Sequence, residues 1–313
     1  MFVLILGLHN WKTQAQGCSD AGFCTMGAMK PAQPYKNKLN IKLRSIELQQ
    51  YSAYTKFKDW VVAYTLDANV GLGNKTVLQF KLPYSFTYGQ LANTHGLGDI
   101  SLSITRNIFF TEKLQINATV GMKIPTSNAN KTTSEGLPLP MYYQQSLGTK
   151  DFVAGISASN RNWMFAFGYQ QAFGTIDNTF LWGKWRTAVS NGLRPAEDSV
   201  ISNKYPISKE LKRGKDIMFR VERNFRFSKI SVNVGLLPII RVTRDVVTLP
   251  NGTRQKQDGS QGLALTGLFG GAYHINAKMS LTFINGIRIV QRDKNPDGLS
   301  REFVSNMGFL YKF

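Results

Sequence analysis

From about Leu39 to Phe313 the chain breaks into segments of 9 to 13 residues in which apolar and polar residues alternate with a period of two. That is the spacing of strands wet on one face, and it lacks the three-and-four spacing of an amphipathic helix. In one segment Leu114, Ile116, Ala118, Val120, Met122 and Ile124 face Gln115, Asn117, Thr119, Gly121 and Lys123. Leu78 to Phe86, Val62 to Val70 and Trp163 to Tyr169 repeat the pattern. It is the lipid-out, lumen-in alternation of a transmembrane strand.

A soluble β-sandwich also alternates, so the connections have to decide. The spacing predicts twelve strands, at 39–51, 60–72, 76–88, 99–109, 114–124, 151–159, 163–173, 216–227, 230–243, 262–274, 279–291 and 301–313. Links after the even strands are tight: Gly73 to Lys75, Phe110 to Lys113, Asn160 to Asn162, Ser228 to Lys229 and Ile275 to Lys278. Links after the odd strands include Pro125 to Lys150, Gly174 to Lys215, Arg244 to Gln261 and Arg292 to Ser300, with Ser52 to Asp59 shorter. Short turns on one rim and long loops on the other, with an even strand count, predict an all-β, antiparallel up-and-down barrel of the bacterial outer membrane. In this register Arg106 and Arg223 fall on the apolar face and so belong near a membrane interface, or mark a bulge.

After the N-terminus no apolar run approaches the roughly 20 residues of a membrane-spanning helix. Phe2 to Leu8, followed by Thr13-Gln14-Ala15, suits a secretory signal over 1–15 with Gln16 as the first mature residue. The usual basic n-region is missing, which leaves the true start codon open. Residues 16–38 form a non-barrel segment, a periplasmic strap or plug, before a barrel domain over 39–313. Cys18 and Cys24 lie in that segment, in an oxidising compartment. A small-loop disulfide and lipidation of Cys18 are both open readings, with the disulfide favoured.

The net charge of +19 would raise nucleic acid as a partner in a soluble chain. Secretion excludes that partner here, and the excess is spread along the chain instead of packed into one arm. Expected partners are outer-membrane lipid and lipopolysaccharide, the barrel assembly machinery, and protein subunits of an envelope complex.

The terminal segment Phe303 to Phe313 sets Phe309, Tyr311 and Phe313 on one face, which resembles the C-terminal signal read by the outer-membrane assembly machinery. GLGDISLSITRNIFF at Gly96 to Phe110, INATVGMKIPT at Ile116 to Thr126 and QSLGTKDFVAGISAS at Gln145 to Ser159 resemble the outer-membrane transporter family of the meta-pathway of phenol degradation. The resemblance covers Gly96 to Gly174. It implies a barrel and a role as importer or aromatic-compound transporter, and it carries over no functional residue. GCSDAGFC, Gly17 to Cys24, resembles proteins of the Bacteroidetes group.

No catalytic, cofactor or metal site is expected. Of the three histidines, His9 belongs to the signal, His95 to an outer loop and His274 to a periplasmic strand end, and they assemble no Ser-His-Asp set. The carboxylates are too scattered for a glycosidase pair, and no His or further Cys stands near Cys18 and Cys24 to complete a zinc site. Gly96-Leu97-Gly98-Asp99 precedes a strand and not a helix, so it is a turn and not a phosphate loop. The charges placed on lumen faces are Lys42, Arg44, Lys81, Lys123, Arg220 and Arg288, against Asp67 and Glu222. They either pair across the lumen to hold its shape or form an anion-favouring constriction. The long loop Gly174 to Lys215, with Trp182, Trp185 and a basic cluster at Lys209, Lys212, Arg213 and Lys215, is of a length that is usually functional or disordered. Two functions fit: a channel or transporter for small solutes, hydrophobic or anionic, and a non-conducting subunit of an envelope assembly.

Overall fold

The computed structural model describes Met26 and residues 42–313. The 1–15 signal, and the 16–38 segment with Cys18 and Cys24 apart from Met26, lie outside the described residues.

The barrel is built from β1 (Lys42–Tyr54), β2 (Trp60–Leu72), β3 (Thr76–Tyr88), β4 (Asn93–Leu97), β5 (Ile100–Phe110), β6 (Gln115–Ile124), β7 (Lys150–Ser159) and β8 (Trp163–Phe173), then β9 (Asp216–Arg226), β10 (Ile230–Arg241), β13 (Gly262–His274), β14 (Met279–Val290) and β15 (Phe303–Lys312). Each pairs antiparallel with the next barrel strand in sequence, save that β4 and β5 both pair with β3, and β15 closes onto β1 from Ser45↔Lys312 to Tyr54↔Phe303. β4 and β5 continue one line along β3, so the closed sheet has twelve strands. Closure leaves no barrel edge, as a lipid-embedded sheet requires.

The long loops carry their own structure. α1 (Trp182–Ser190) and α2 (Ala196–Ser202) lie between β8 and β9, and a small hairpin of β11 (Val246–Thr248) and β12 (Arg254–Lys256) lies between β10 and β13. The sequence explains α2 locally. Pro195 precedes the first turn, where Glu197 and Asp198 complement the helix dipole, and Arg194 Nε holds Asp198 at 2.6 Å.

Along each strand exposure alternates. Trp163, Phe165, Phe167 and Phe173 of β8 and Ile104, Ile108 and Phe110 of β5 are exposed, while Met164 and Ala166 of β8 and Thr105 and Asn107 of β5 face inward. Exposed apolar side chains all round a closed sheet form the lipid-facing belt of a membrane barrel. Arg106 and Arg223 do lie on this outer face, and both sit beside the short turns. Arg106 pairs with Thr76, the first residue of β3, and Arg223 stacks over the Trp163 and Phe225 rings at 5.0 and 5.7 Å. An Arg beside interfacial aromatics reaches the headgroups while its stem stays apolar.

β1 departs from the expected register. It runs three residues further than predicted, to Tyr54, and its pairing with β2 jumps from Leu43↔Val70 to Ser45↔Asn69. Arg44 is the extra residue of this bulge. Beyond it Ser45, Glu47, Gln49, Tyr51 and Ala53 take the inward positions. Lys42 pairs with Gly71 and so shares the inward face of Asp67 and Asn69, and the Arg44 guanidinium lies against the inward side of Gly71; it is the residues beyond the bulge whose facing is reversed. Lys42 is exposed at the short-turn end, and Arg44 donates to the Gly73 carbonyl at 2.8 Å. A single inserted residue reverses the facing of everything on one side of it.

Candidate functional site

The lumen has two unlike walls. On β2, β3, β5 and β6 the inward residues form a polar ladder. Gln79 and Asn69 donate to Asp67 at 3.0 and 3.1 Å, Ser103 donates to Gln79 at 3.3 Å, Thr105 meets Thr119 at 2.8 Å, and Asn107 donates to Asn117 at 2.9 Å. Across from it Val153, Ala166, Met218, Leu237 and Leu268 form an apolar strip, and Met26 is buried among them. Gly121 makes room for Met26, since a Cβ there would lie 2.6 Å from the Met26 sulfur.

The charges expected in the lumen occupy distinct levels. Lys81 lies 3.6 Å from Asp67 and Lys123 lies 3.5 Å from Asp99. Arg220 and Glu222, two apart on β9, pair directly, and Arg288 at the long-loop end of β14 lies 2.5 Å from Glu302. Each of these four cations stands against a carboxylate, as burial demands. Glu47, which accepts from Thr282 at 2.8 Å, was hidden by the β1 bulge. Phe309, Tyr311 and Phe313 line the outer face at the short-turn end, with the Tyr311 and Phe313 rings 4.9 Å apart. His95 bonds Tyr84 at 2.8 Å and His274 bonds Ser280 at 2.9 Å, on opposite ends of the barrel.

The long loops fold together into a cap over one mouth. Leu91, Leu139, Tyr142, Phe180, Trp185 and Tyr205, from three different loops, form one buried cluster. Trp185 donates to the Pro138 carbonyl and Trp182 to that of Tyr205, both at 2.8 Å. Asp59, fully buried between β1 and β2, receives the hydroxyls of Tyr143 and Tyr205 at 2.8 Å and of Thr55 at 3.1 Å. Burial pushes its carboxyl above the ordinary range, against these three donors. Burial, together with the Asp59 charge, drives both tyrosines well above their usual values, so they remain donors.

A second knot ties the cap to the barrel rim. Arg241 at the end of β10 binds Asp216 through two nitrogens at 2.8 and 2.9 Å, Asp245 at 2.8 Å and Asp297 at 2.8 Å. Arg213 binds Asp151 of β7 at 2.6 Å and shares Asp297 at 3.4 Å. Burial pushes Asp297 up, but Arg241, Arg292 and Arg213 outweigh it and hold the carboxyl well below the ordinary range. Arg213 was predicted only as part of a basic loop cluster. Asp59, Tyr143, Tyr205, Arg241 and Asp297 carried little local signal, because apart from Thr55–Asp59 and Arg241–Asp245 the side-chain hydrogen-bond partners described are 25 to 146 residues away in sequence.

No family model matches the chain, and no curated protein matches it. Solved structures do. The COG4313 outer membrane channel from Pseudomonas putida F1 superposes with a TM-score of 0.55 at 13% identity, covering 90% of this chain and all of that one. The fold is that of an outer-membrane barrel. The NanC porin (TM-score 0.44, 8% identity, 87% of this chain and 100% of that one) and the CymD monoaromatic hydrocarbon channel (0.40, 8%, 96% and 94%) overlap it more loosely. With its outward apolar belt, this barrel resides in the bacterial outer membrane. The resemblances to the phenol-degradation family and to Bacteroidetes proteins gain no support from these comparisons.

Proposed function

We propose that the chain is a capped outer-membrane channel for small solutes with an apolar face. The observation that carries this reading is the divided lumen: an apolar strip on β7 to β10 and β13 faces a polar ladder on β2 to β6, beneath a cap built from separate loops. A solute with one apolar and one polar side meets a partner on each wall. The pairing of Lys81, Lys123, Arg220 and Arg288 with carboxylates speaks against an anion-attracting constriction. A second reading, a non-conducting subunit of an envelope assembly, draws on Met26 filling part of the lumen.

The two separate in planar bilayers. The intact barrel is expected to be nearly silent, and a variant in which residues 182–202, both cap helices, are replaced by a short Gly-Ser linker is expected to give discrete conductance steps. Silence from both proteins, each verified as folded, would remove the channel reading and leave the scaffold.

A further inference from the structure

Between the cap and the inner faces of β1, β2, β3, β5, β6 and β15 lies a cavity of about 140 Å³. A protein cavity of that size accepts a single six-membered ring. Tyr51, Val61 and Ala63 give it an apolar side and Leu147 closes over it from the cap.

Four residues around this cavity each carry a buried oxygen with no hydrogen-bond partner: Asp99 Oδ1, Tyr142 Oη, Gln145 Oε1 and Asn306 Oδ1. They come from three separate places in the chain, Asp99, the 142–145 stretch and Asn306, so no single local distortion accounts for them. The orientation of Gln145 is fixed, because its Nε2 donates to Thr94 at 2.8 Å and to the Tyr143 carbonyl at 3.0 Å. The oxygen is thus the atom left over. Asp99 uses only its other oxygen, which accepts from the Leu147 amide at 3.0 Å and lies 3.5 Å from Lys123. Buried polar atoms are seldom left unpaired, and four around one cavity call for a shared complement.

The chemistry of that complement follows from the set. Three of the four atoms only accept, so the ligand must donate, and carbonyl and carboxylate oxygens repel an anion. Lys81, Lys123 and Arg301 border the same space, which disfavours a cation. We propose that the chamber binds a small neutral polyhydroxylated solute of about one ring, its apolar face on Tyr51, Val61 and Ala63 and its hydroxyls donating to Asp99, Gln145 and Asn306. The proposal deepens the channel reading, yet binding does not require conduction: a barrel that stays silent in bilayers and still binds keeps this site and loses the channel.

Saturation-transfer NMR on the full chain in nanodiscs tests it, with erythritol and glucose as neutral probes, glycerate as the anion and 3-amino-1,2-propanediol as the cation. Saturable binding of a neutral probe is expected, with both charged probes at least about tenfold weaker. Asn306→Leu, which fills the chamber and removes an acceptor, should weaken binding at least about tenfold, while Asn306→Ser retains most of it. If Asn306→Leu fails to fold, Gln145→Leu takes its place, with the same expectation. The proposal is overturned by the absence of saturable binding of any neutral probe, by a charged probe binding as tightly, or by a folded leucine variant that binds like the parent.

Discussion

At the scale of single residues the cap rests on groups whose ionisation is shifted in opposite directions. Asp59 and Asp245 are raised, chiefly by burial. Each binds its proton more tightly when folded than when unfolded, so the folded cap gains stability as the pH falls through their raised values. Asp297 is depressed. Its contribution is complete above the ordinary carboxylate range and disappears only as the pH falls through and below that range. Mild acidification, from about pH 7 to about pH 5, therefore should not release the cap. Hydrogen exchange of the 174–215 loop should be no faster at the lower pH, once corrected for intrinsic rates, and should accelerate only in strong acid. Faster opening at the lower pH would mean that the depressed carboxylates do not govern the cap.

At the scale of elements, loops distant in sequence share one hydrophobic cluster. Trp185 of α1 is fully buried against residues of the 125–149 loop and bonds Pro138. Replacing it with alanine should cost about 3–5 kcal/mol of local stability, the range for a large buried aromatic. Because the cluster is shared, the 125–149 and 174–215 loops should become protease-sensitive together while the barrel strands stay protected. Cleavage confined to 174–215 would show that the loops are independent. The same scale explains what the sequence could and could not reveal. Strand period and the tight turns at Gly73–Lys75 and Asn160–Asn162 are local, and Gly73, with φ of 73°, is the residue such a turn favours. The β1 bulge has no composition signal: Lys42, Arg44 and Ile46 alternate as plausibly as Ser45, Glu47 and Gln49, and only pairing with β2 and β15 chooses between them. The Arg241 knot and the Asp59 cluster escaped because they depend on how separate loops meet. Lys81 and Asp67 were legible because they face each other on adjacent hairpin strands.

At the scale of the whole molecule, the account is of a membrane barrel with its long loops outside, folded over the outer mouth and held there by buried polar contacts. Cysteine labelling in intact cells tests this most directly, in a background lacking Cys18 and Cys24 and with a membrane-impermeant maleimide. A cysteine replacing Lys184, exposed on α1, should react at once. One replacing Lys278, exposed on a short turn, should react only after the outer membrane is permeabilised. A cysteine replacing Ser85, on the chamber wall beneath the cap, should resist the reagent until Asp59→Ala is added. Labelling of Lys278→Cys before Lys184→Cys would invert the topology, and immediate labelling of Ser85→Cys with Asp59 intact would contradict a closed cap.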